Sequence, residues 1–219
     1  MIPLIQDIDM NLKSSEHWII DSNSKAFKHI DREDINIVIS ERNIDNLTHE
    51  INQLLQQDIT FRASGNIHKI INEITAFLTP DSYQLLIEDI REVLNTFNNV
   101  ANTNEFKLQL ATVNTNLCRR FHTDINDLRM LCTYSGPGTL WLSDDNINQK
   151  ALNNYRSNAN IVINENKINQ VKTGALVLLK GALFPNKITK AAVHRSPTIE
   201  ESGEKRLLLR IDTNNTLNF

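Results

Sequence analysis

The stretch that decides the fold is RFHTDINDLRMLCTYSGPGTLWL, which covers residues 120–142. Apolar residues dominate its segments 128–134 and 140–142, and the sequence Gly136-Pro137-Gly138 lies between them. Short runs rich in apolar and aromatic residues, bounded by glycine and proline, are typical of strands joined by turns. The stretch therefore predicts two short β-strands connected by a turn.

Upstream of this stretch, apolar residues recur every three or four positions, as they do on the buried face of an α-helix. The spacing predicts one helix over residues 44–55, capped by Ser40, and a second helix from near Ser64 to Leu78. The pair Thr79-Pro80 predicts a cap and a first helical residue for a third helix, which carries apolar residues as far as Phe97. Residues 1–104 are therefore predicted to be a mainly helical N-terminal region.

From residue 105 onward the apolar spacing changes to two, which is the period of a half-buried strand. Further strands are predicted at residues 106–110, 160–164, 175–180, 191–196 and 206–212. Several short strands separated by turns favour a sandwich or a barrel. The predicted fold is therefore α+β, with N-terminal helices packed on a C-terminal double-stranded β-helix, a jelly-roll of cupin-like form, over residues 105–219.

The same stretch contains His122 and Asp124, separated by one residue. On an extended chain, residues i and i+2 point to the same face, so both side chains can reach one metal ion. The segment AAVHRSP adds His194 within another predicted strand, which a double-stranded β-helix would bring close. Two imidazoles and one carboxylate can form a facial triad that holds Fe(II) and leaves coordination positions open. Zn(II) is the alternative metal, because its affinity for such ligands generally exceeds that of Fe(II).

A metal held in this way would attract a small acidic co-substrate, because two neutral imidazoles and one carboxylate leave a divalent ion with net positive charge. Arg206 begins the last predicted strand and could bind a carboxylate through a two-pronged contact. Arg210 lies on the same strand face and is the reserve candidate. Arg129 and Tyr134 are further candidates for contacts in the ligand pocket. Each of these residues alone has an ordinary structural explanation, and it is their order and strand context that favour a site.

Composition argues against several classes of partner. The net charge of −3 offers no basic surface for nucleic acid or for an anionic membrane. No stretch approaches the roughly 18 apolar residues of a membrane span. The two cysteines, Cys118 and Cys132, match no zinc or redox spacing, and residues 1–15 lack the pattern of a secretion signal, so a cytoplasmic location is predicted. The apolar helix stripes leave a homo-oligomer open, because they can face the sheet or a second subunit.

Residues 122–142, together with KTGALVLLKG, AVHRSP and RLLLRID, resemble a bacterial family known as domain of unknown function 1826. The resemblance implies a link to metal homeostasis, because some members are encoded near metal-chaperone GTPases. At a greater distance, the pattern is similar to the Fe(II)/2-oxoglutarate-dependent dioxygenases. This second resemblance implies that His122, Asp124 and His194 bind Fe(II) and that Arg206 binds the distal carboxylate of 2-oxoglutarate. The R-x-S form of many of those enzymes is absent, since Leu208 follows Arg206 by two positions.

The sequence therefore predicts an Fe(II)/2-oxoglutarate-dependent dioxygenase that oxidises an unknown primary substrate. One alternative is a non-enzymatic, cupin-like metal-binding protein linked to zinc homeostasis. A third interpretation is a sheet domain in which the same side chains form only a hydrogen-bonded network.

Overall fold

The computed structural model describes residues 17–101, 103–185 and 190–213. In chain order its strands are β1 (Trp18–Asp21), β2 (Ile37–Ser40), β3 (Thr60–Gly65), β4 (Phe106–Val113), β5 (Leu128–Ser135), β6 (Leu140–Trp141), β7 (Asn169–Gln170), β8 (Leu176–Lys180), β9 (His194–Arg195) and β10 (Arg206–Thr213). Its α-helices are α1 (Thr48–Leu55), α2 (Ile67–Leu78), α3 (Pro80–Asn98), α4 (Gln149–Asn153) and α5 (Asn158–Ile161). Short 3-10 helices occur at Ser24–Asp31, Asp45–Leu47, Asp144–Asn146 and Glu165–Lys167.

A large sheet organises the molecule. Within the described residues it has seven strands in the order β1-β2-β8-β5-β10-β4-β3. Neighbouring strands are antiparallel except for β1 and β2, which are parallel. β10 lies between β4 and β5, and Leu209 of β10 is opposite both Leu110 and Cys132. The side chains of β10 therefore project from the middle of the sheet, where both faces can be covered.

A second sheet and a layer of helices cover the two faces. Strands β7, β6 and β9 form the smaller sheet, and Trp141 of β6 is buried in one apolar cluster with Ile37 and Ile39 of β2. Val38 belongs instead to the cluster that contains the buried residues of α1, α2 and α3. Successive residues of a strand point to opposite faces, so β2 contributes to both cores. The layers are therefore helices, large sheet and small sheet.

The large sheet extends across the predicted boundary near residue 104. β3 pairs with β4, and β2 pairs with β8. The expectation that the sheet is confined to residues 105–219 is corrected, because short extended segments between the N-terminal helices pair with strands far away in sequence. The prediction of mixed helical and sheet structure with a large sheet is confirmed.

Several predicted element boundaries also need correction. Ser40 ends β2 instead of capping a helix, and Ser64 lies within β3. The cap of α2 is Asn66, whose side chain accepts a hydrogen bond from the Lys69 N–H. The strand predicted at residues 160–164 is wrong, because α5 occupies its first part. Serine and asparagine satisfy helix ends and turns equally well, so a sequence rich in both offers several competing caps.

The third helix begins where the sequence predicts. Pro80 is its first residue, as expected for a residue that lacks an N–H donor. Thr79, the expected cap, makes no capping hydrogen bond and has a positive φ of 55°. The start of this helix therefore depends on Pro80, and the Thr79 hydroxyl does not cap it.

Within the described residues, no helix is long and apolar enough to cross a membrane. The segment 1–15, on which the absence of a secretion signal was judged, lies outside the described residues. A cytoplasmic location stays a prediction.

Candidate metal centre

Strand pairing brings His122 and His194 together. The His122 N–H donates to the His194 carbonyl and the His194 N–H donates to the His122 carbonyl, both at 3.0 Å. Residues directly opposite in an antiparallel pair project to the same side. The two imidazole centroids accordingly lie 4.7 Å apart.

Asp124 completes a group of three ligand atoms. Its Oδ1 lies 3.7 Å from His122 Nε2, and its Oδ2 lies 3.3 Å from His194 Nε2. One ligand atom from each of the three residues lies within 4.8 Å of the other two. The three side chains that the sequence singled out are therefore brought together.

Backbone carbonyls orient both imidazoles. His122 Nδ1 lies 2.9 Å from the Arg120 carbonyl oxygen, and His194 Nδ1 lies 3.2 Å from the Ala192 carbonyl oxygen. An imidazole whose Nδ1–H donates to a carbonyl presents the Nε2 lone pair for coordination. Both Nε2 atoms are next to the Asp124 carboxylate, so the arrangement suits a divalent cation with nitrogen and oxygen ligands.

The Asp124 carboxylate has an unsatisfied oxygen. Its Oδ2 is buried and has no hydrogen-bond partner among the described residues. A buried acceptor without a partner costs about 1–3 kcal/mol, and more when it is charged. A bound cation would satisfy this oxygen and both Nε2 atoms at once, so the residues fit a metal ion.

The site keeps its carboxylate charged. Burial disfavours the charged form, yet His122, His194 and Arg129 together hold the pKa of Asp124 well below its usual value. In turn, the hydrogen bond with Asp124 raises the pKa of His122 against the opposing effect of burial. A metal ion must displace the proton from His122, so metal affinity will rise as the pH increases.

Arg129 holds the other oxygen of Asp124. Its Nη1 lies 2.5 Å from Asp124 Oδ1, and its Nε donates to Asp212 Oδ1 at 2.6 Å. Asn126 Nδ2 also donates to Asp212, at 2.9 Å. The sequence predicted Arg129 as a contact in the ligand pocket. Arg129 lines a small cavity together with His122 and His194, and its guanidinium is also engaged by the carboxylates of Asp124 and Asp212. Direct contact with a ligand stays a prediction, and in the structure Arg129 holds Asp124 with Oδ2 next to His194.

Replacing Arg129 by alanine is expected to lower the free energy of unfolding by about 3–5 kcal/mol, because Asp124 loses its guanidinium partner and Asp212 loses one of its two. Urea denaturation at pH 7 measures this change. Arg91→Ala, at an exposed position of α3, is the matched control and should change the free energy by less than about 0.5 kcal/mol. An Arg129→Ala loss as small as that of the control would contradict this account of the cluster.

Arg206 is a buried cation that lacks a counter-charge. Its side chain is 1% exposed, and its Nη2 donates to Thr133 Oγ1 at 3.0 Å. Its Nε has no partner, and no carboxylate pairs with it among the described residues. Burial lowers the pKa of Arg206 to about 10. A buried, unpaired guanidinium is costly, and an anionic ligand would compensate it.

A small cavity joins Arg206 to the histidines. It has a volume of about 70 Å³, and its lining includes His122, His194, Arg129 and Arg206. Arg210 also lines it, but its Nε already lies 3.2 Å from Asp212 Oδ2. Of the arginines predicted from the sequence, Arg206 therefore keeps free hydrogen-bonding capacity beside the triad, and Arg210 is engaged elsewhere. Arg195 also lines the cavity, and its Nε likewise has no partner among the described residues, although its Nη1 donates to the Ser196 carbonyl.

Tyr134 does not belong to this site. It is buried in the cluster on the helix side of the large sheet, and its hydroxyl donates to Asp89 Oδ2 at 2.6 Å. Asp89 also accepts two hydrogen bonds from Arg42. The prediction of Tyr134 as a ligand contact is corrected, because it shares a strand face with Met130 and Cys132, opposite Arg129.

Two residues of the site were not predicted from the sequence. Asp212 and Asn126 hold Arg129, and Asp212 follows Arg210 by two positions on β10. The period of a strand could have placed Asp212 on the face of Arg206 and Arg210. No comparable pattern marks Asn126, which lies outside regular structure.

A comparison with protein families decides where this chain belongs. The family described as protein of unknown function (DUF1826) matches residues 21–212. The chain belongs to this family. The match includes every residue of the candidate metal centre in this DUF1826 protein, and it confirms the resemblance predicted from the sequence.

Solved structures similar to this DUF1826 protein include a Neurospora crassa protein in complex with alpha-KG and thymine, with 10% identity, a TM-score of 0.49, and 93% of this chain and 87% of that chain covered. A Pseudomonas putida prolyl-4-hydroxylase has 9% identity, a TM-score of 0.45, and coverage of 86% and 96%. The Fe(II)/(alpha)ketoglutarate-dependent dioxygenase TqaL has 12% identity, a TM-score of 0.44, and coverage of 84% and 83%. At such scores these likenesses decide no detail of the chemistry of this chain. No curated protein matches it.

Proposed function

We propose that this protein is an Fe(II)/2-oxoglutarate-dependent oxygenase. His122, Asp124 and His194 bind the metal, and Arg206 binds the distal carboxylate of the co-substrate. The observation that carries this proposal is the shared cavity, in which a buried guanidinium without a counter-charge lies beside three converging metal ligands. A dicarboxylate would satisfy both charges at once.

The chemistry follows from what each residue holds. Bound Fe(II), with 2-oxoglutarate and O₂, supplies the oxidation of a C–H bond to C–OH, with release of succinate and CO₂. Arg206 orients the co-substrate, and Arg129 keeps one oxygen of Asp124 engaged so that the other stays available. Leu131 and Leu208 contribute apolar lining to the cavity.

The size of the cavity sets a condition on this proposal. A volume of about 70 Å³ holds a few water molecules and is small for a whole dicarboxylate. Binding therefore requires side chains at the rim to move, and Leu117 and Arg210 line the cavity while keeping about two-fifths of their surface exposed. Side-chain rearrangement of this kind is common on ligand binding.

The same observation favours a second function, which is a non-enzymatic, cupin-like metal-binding protein of zinc homeostasis. A cavity of this size suits a metal ion with its water ligands, and the three side chains suit Zn(II) as well as Fe(II). This alternative predicts tight zinc binding, no response to 2-oxoglutarate, and no loss of metal affinity when Arg206 is replaced.

Anaerobic titration with Fe(II) followed by 2-oxoglutarate separates the two functions. The oxygenase gives a visible charge-transfer band on addition of 2-oxoglutarate, and it forms succinate once O₂ is admitted. His194→Ala should abolish the band, and His68→Ala, at an exposed position on α2, should retain it. Metal binding without a band in the wild-type protein would contradict the oxygenase and support the zinc protein.

The proposal extends to the architecture. Two facing sheets with mostly antiparallel pairing support a double-stranded β-helix that is buttressed by the N-terminal helices. We propose that residues 105–219 supply the metal-binding part. The region 1–104 supplies the helices that pack on it and three strands of the large sheet, β1, β2 and β3. A homo-oligomer stays a prediction.

A further inference from the structure

A groove shares the side chain of His122 with the small cavity. It has a volume of about 580 Å³, and His122 lines both the groove and the cavity. Pockets for organic ligands typically have volumes of about 300–1,000 Å³. The groove therefore has room for a second molecule, which could contact His122 without contacting Arg206, because Arg206 does not line the groove.

The groove has an apolar floor. Ile147, Leu152 and Val193 line it and belong to one buried cluster. At its rim, Ile125 and Tyr155 are 74% and 78% exposed. Exposed apolar side chains next to a concave apolar surface are typical of ligand-binding sites. The body of the bound molecule is therefore expected to be apolar.

Arg120 gives the groove a cationic end. Its guanidinium carbon lies 4.6 Å from the centroid of the Tyr155 ring, and no carboxylate pairs with its side chain in the described part of the chain. Stacking covers the flat face of a guanidinium and leaves its N–H edge available for a carboxylate. Tyr155 has a positive φ of 56°, which is uncommon for a residue other than glycine.

The other charges of the groove are consistent with an anionic ligand. Lys190 adds a second positive charge to the lining. Asp144 is the acidic residue among the lining side chains, and its oxygens lie 3.4 Å from Asn36 Nδ2 and 3.6 Å from His17 Nε2. The negative charge of Asp144 is therefore directed toward these two groups, and the cationic edge of Arg120 is left for the ligand.

We propose that the groove binds the primary substrate and that this substrate is a carboxylic acid with an apolar body. Arg120 binds its carboxylate, the floor packs against its hydrocarbon part, and His122 lies at the boundary with the metal. That the bound molecule is the substrate of a reaction at the metal rests on the proposed function. That the groove binds a carboxylic acid does not. Binding to the groove can be measured separately.

Octanoate is the probe, and octanol is its uncharged counterpart of similar length. Binding to the full chain without added metal is measured by ligand-observed NMR titration. We expect octanoate to bind at least about tenfold more tightly than octanol, because a charge-assisted contact contributes about 1.5–3 kcal/mol. Equal binding of the two, or no binding of octanoate, would overturn the proposal.

Variants locate the bound carboxylate. Arg120→Ala should weaken octanoate binding about tenfold. Arg119→Ala is the matched control, because this neighbouring arginine is exposed and pairs with Glu200 at 2.7 Å. Tyr155→Leu removes the ring that stacks on Arg120 and should weaken the binding of octanoate more than that of octanol. This variant tests the role of the stacked pair if Arg120→Ala does not fold.

The same titration distinguishes the groove from the cavity. Arg206 lines the cavity and does not line the groove, so octanoate binding should persist in Arg206→Met. If Arg206→Met lost octanoate binding and Arg120→Ala kept it, the carboxylate would be bound by Arg206, and the proposal would be overturned. Since no metal or 2-oxoglutarate is present, a failure of the oxygenase chemistry leaves this result unaffected.

Discussion

Asp124→Asn is expected to weaken Fe(II) or Co(II) binding by on the order of 100-fold or more, because even residues that only orient metal ligands change affinity by about 10–100-fold. The substitution keeps the size of the side chain but removes the charge that lies between two imidazoles and next to Arg129. The nearby guanidinium of Arg129 then keeps only Asp212 as a carboxylate partner, and its positive charge opposes a cation at the site. Anaerobic titration followed by electronic absorption of Co(II) measures the affinity.

Asp145→Asn is the matched control for this experiment. Asp145 is exposed and pairs loosely with Lys167, at 3.5 Å. Its replacement should leave metal affinity unchanged. If Asp124→Asn bound Co(II) as tightly as the control, the third interpretation, a hydrogen-bonded network without a metal, would replace the metal centre.

Arg206→Met is expected to have opposite effects on ligand binding and on stability. The affinity for 2-oxoglutarate in the presence of Fe(II) should fall by on the order of 100-fold, because a two-pronged contact to a carboxylate is lost. The free energy of unfolding without ligand should rise by about 1 kcal/mol or more, since methionine fills the buried site without an unpaired charge. Titration of the charge-transfer band and urea denaturation measure the two quantities.

Arg62→Met is the control for both measurements, because Arg62 is exposed on β3. It should leave both quantities close to the wild-type values. A fall in stability together with unchanged 2-oxoglutarate affinity would mean that Arg206 is a structural residue. That outcome would favour the zinc protein over the oxygenase.

Local patterns were sufficient for the parts of the site that lie within one short segment of the chain. His122 and Asp124 are separated by one residue, which predicted a shared face, and the structure brings both side chains to His194, although only His122 forms a β-bridge. The alternation along β10 likewise separated Arg206 and Arg210 from the apolar residues that pack against the helices. Both predictions used only the two-residue period of a strand, which holds whatever the strand pairs with.

Predictions that depended on which segment covers a given face of a strand were less successful. Tyr134 was assigned to the ligand pocket, but the helix layer lies on its side of β5. Arg129 was predicted as a ligand contact and lies on the strand face that lines the cavity, but its ion pair with Asp212 of the neighbouring strand was not predicted. A strand pattern gives two faces and does not say which one is covered by helices. That choice depends on contacts between segments far apart in the chain.

The amino-acid sequence alone determined the helical or extended period of most segments, the residue types of a candidate three-ligand metal centre and the family of the chain. Tertiary structure decided that β1, β2 and β3 join the large sheet, that Arg206 is left without a counter-charge while Arg210 is not, and that His122 lines both a cavity and a groove. The reason is physical. Whether a segment is helical or extended depends largely on residues that are close in the sequence. Burial and charge compensation depend on every segment that packs around a side chain.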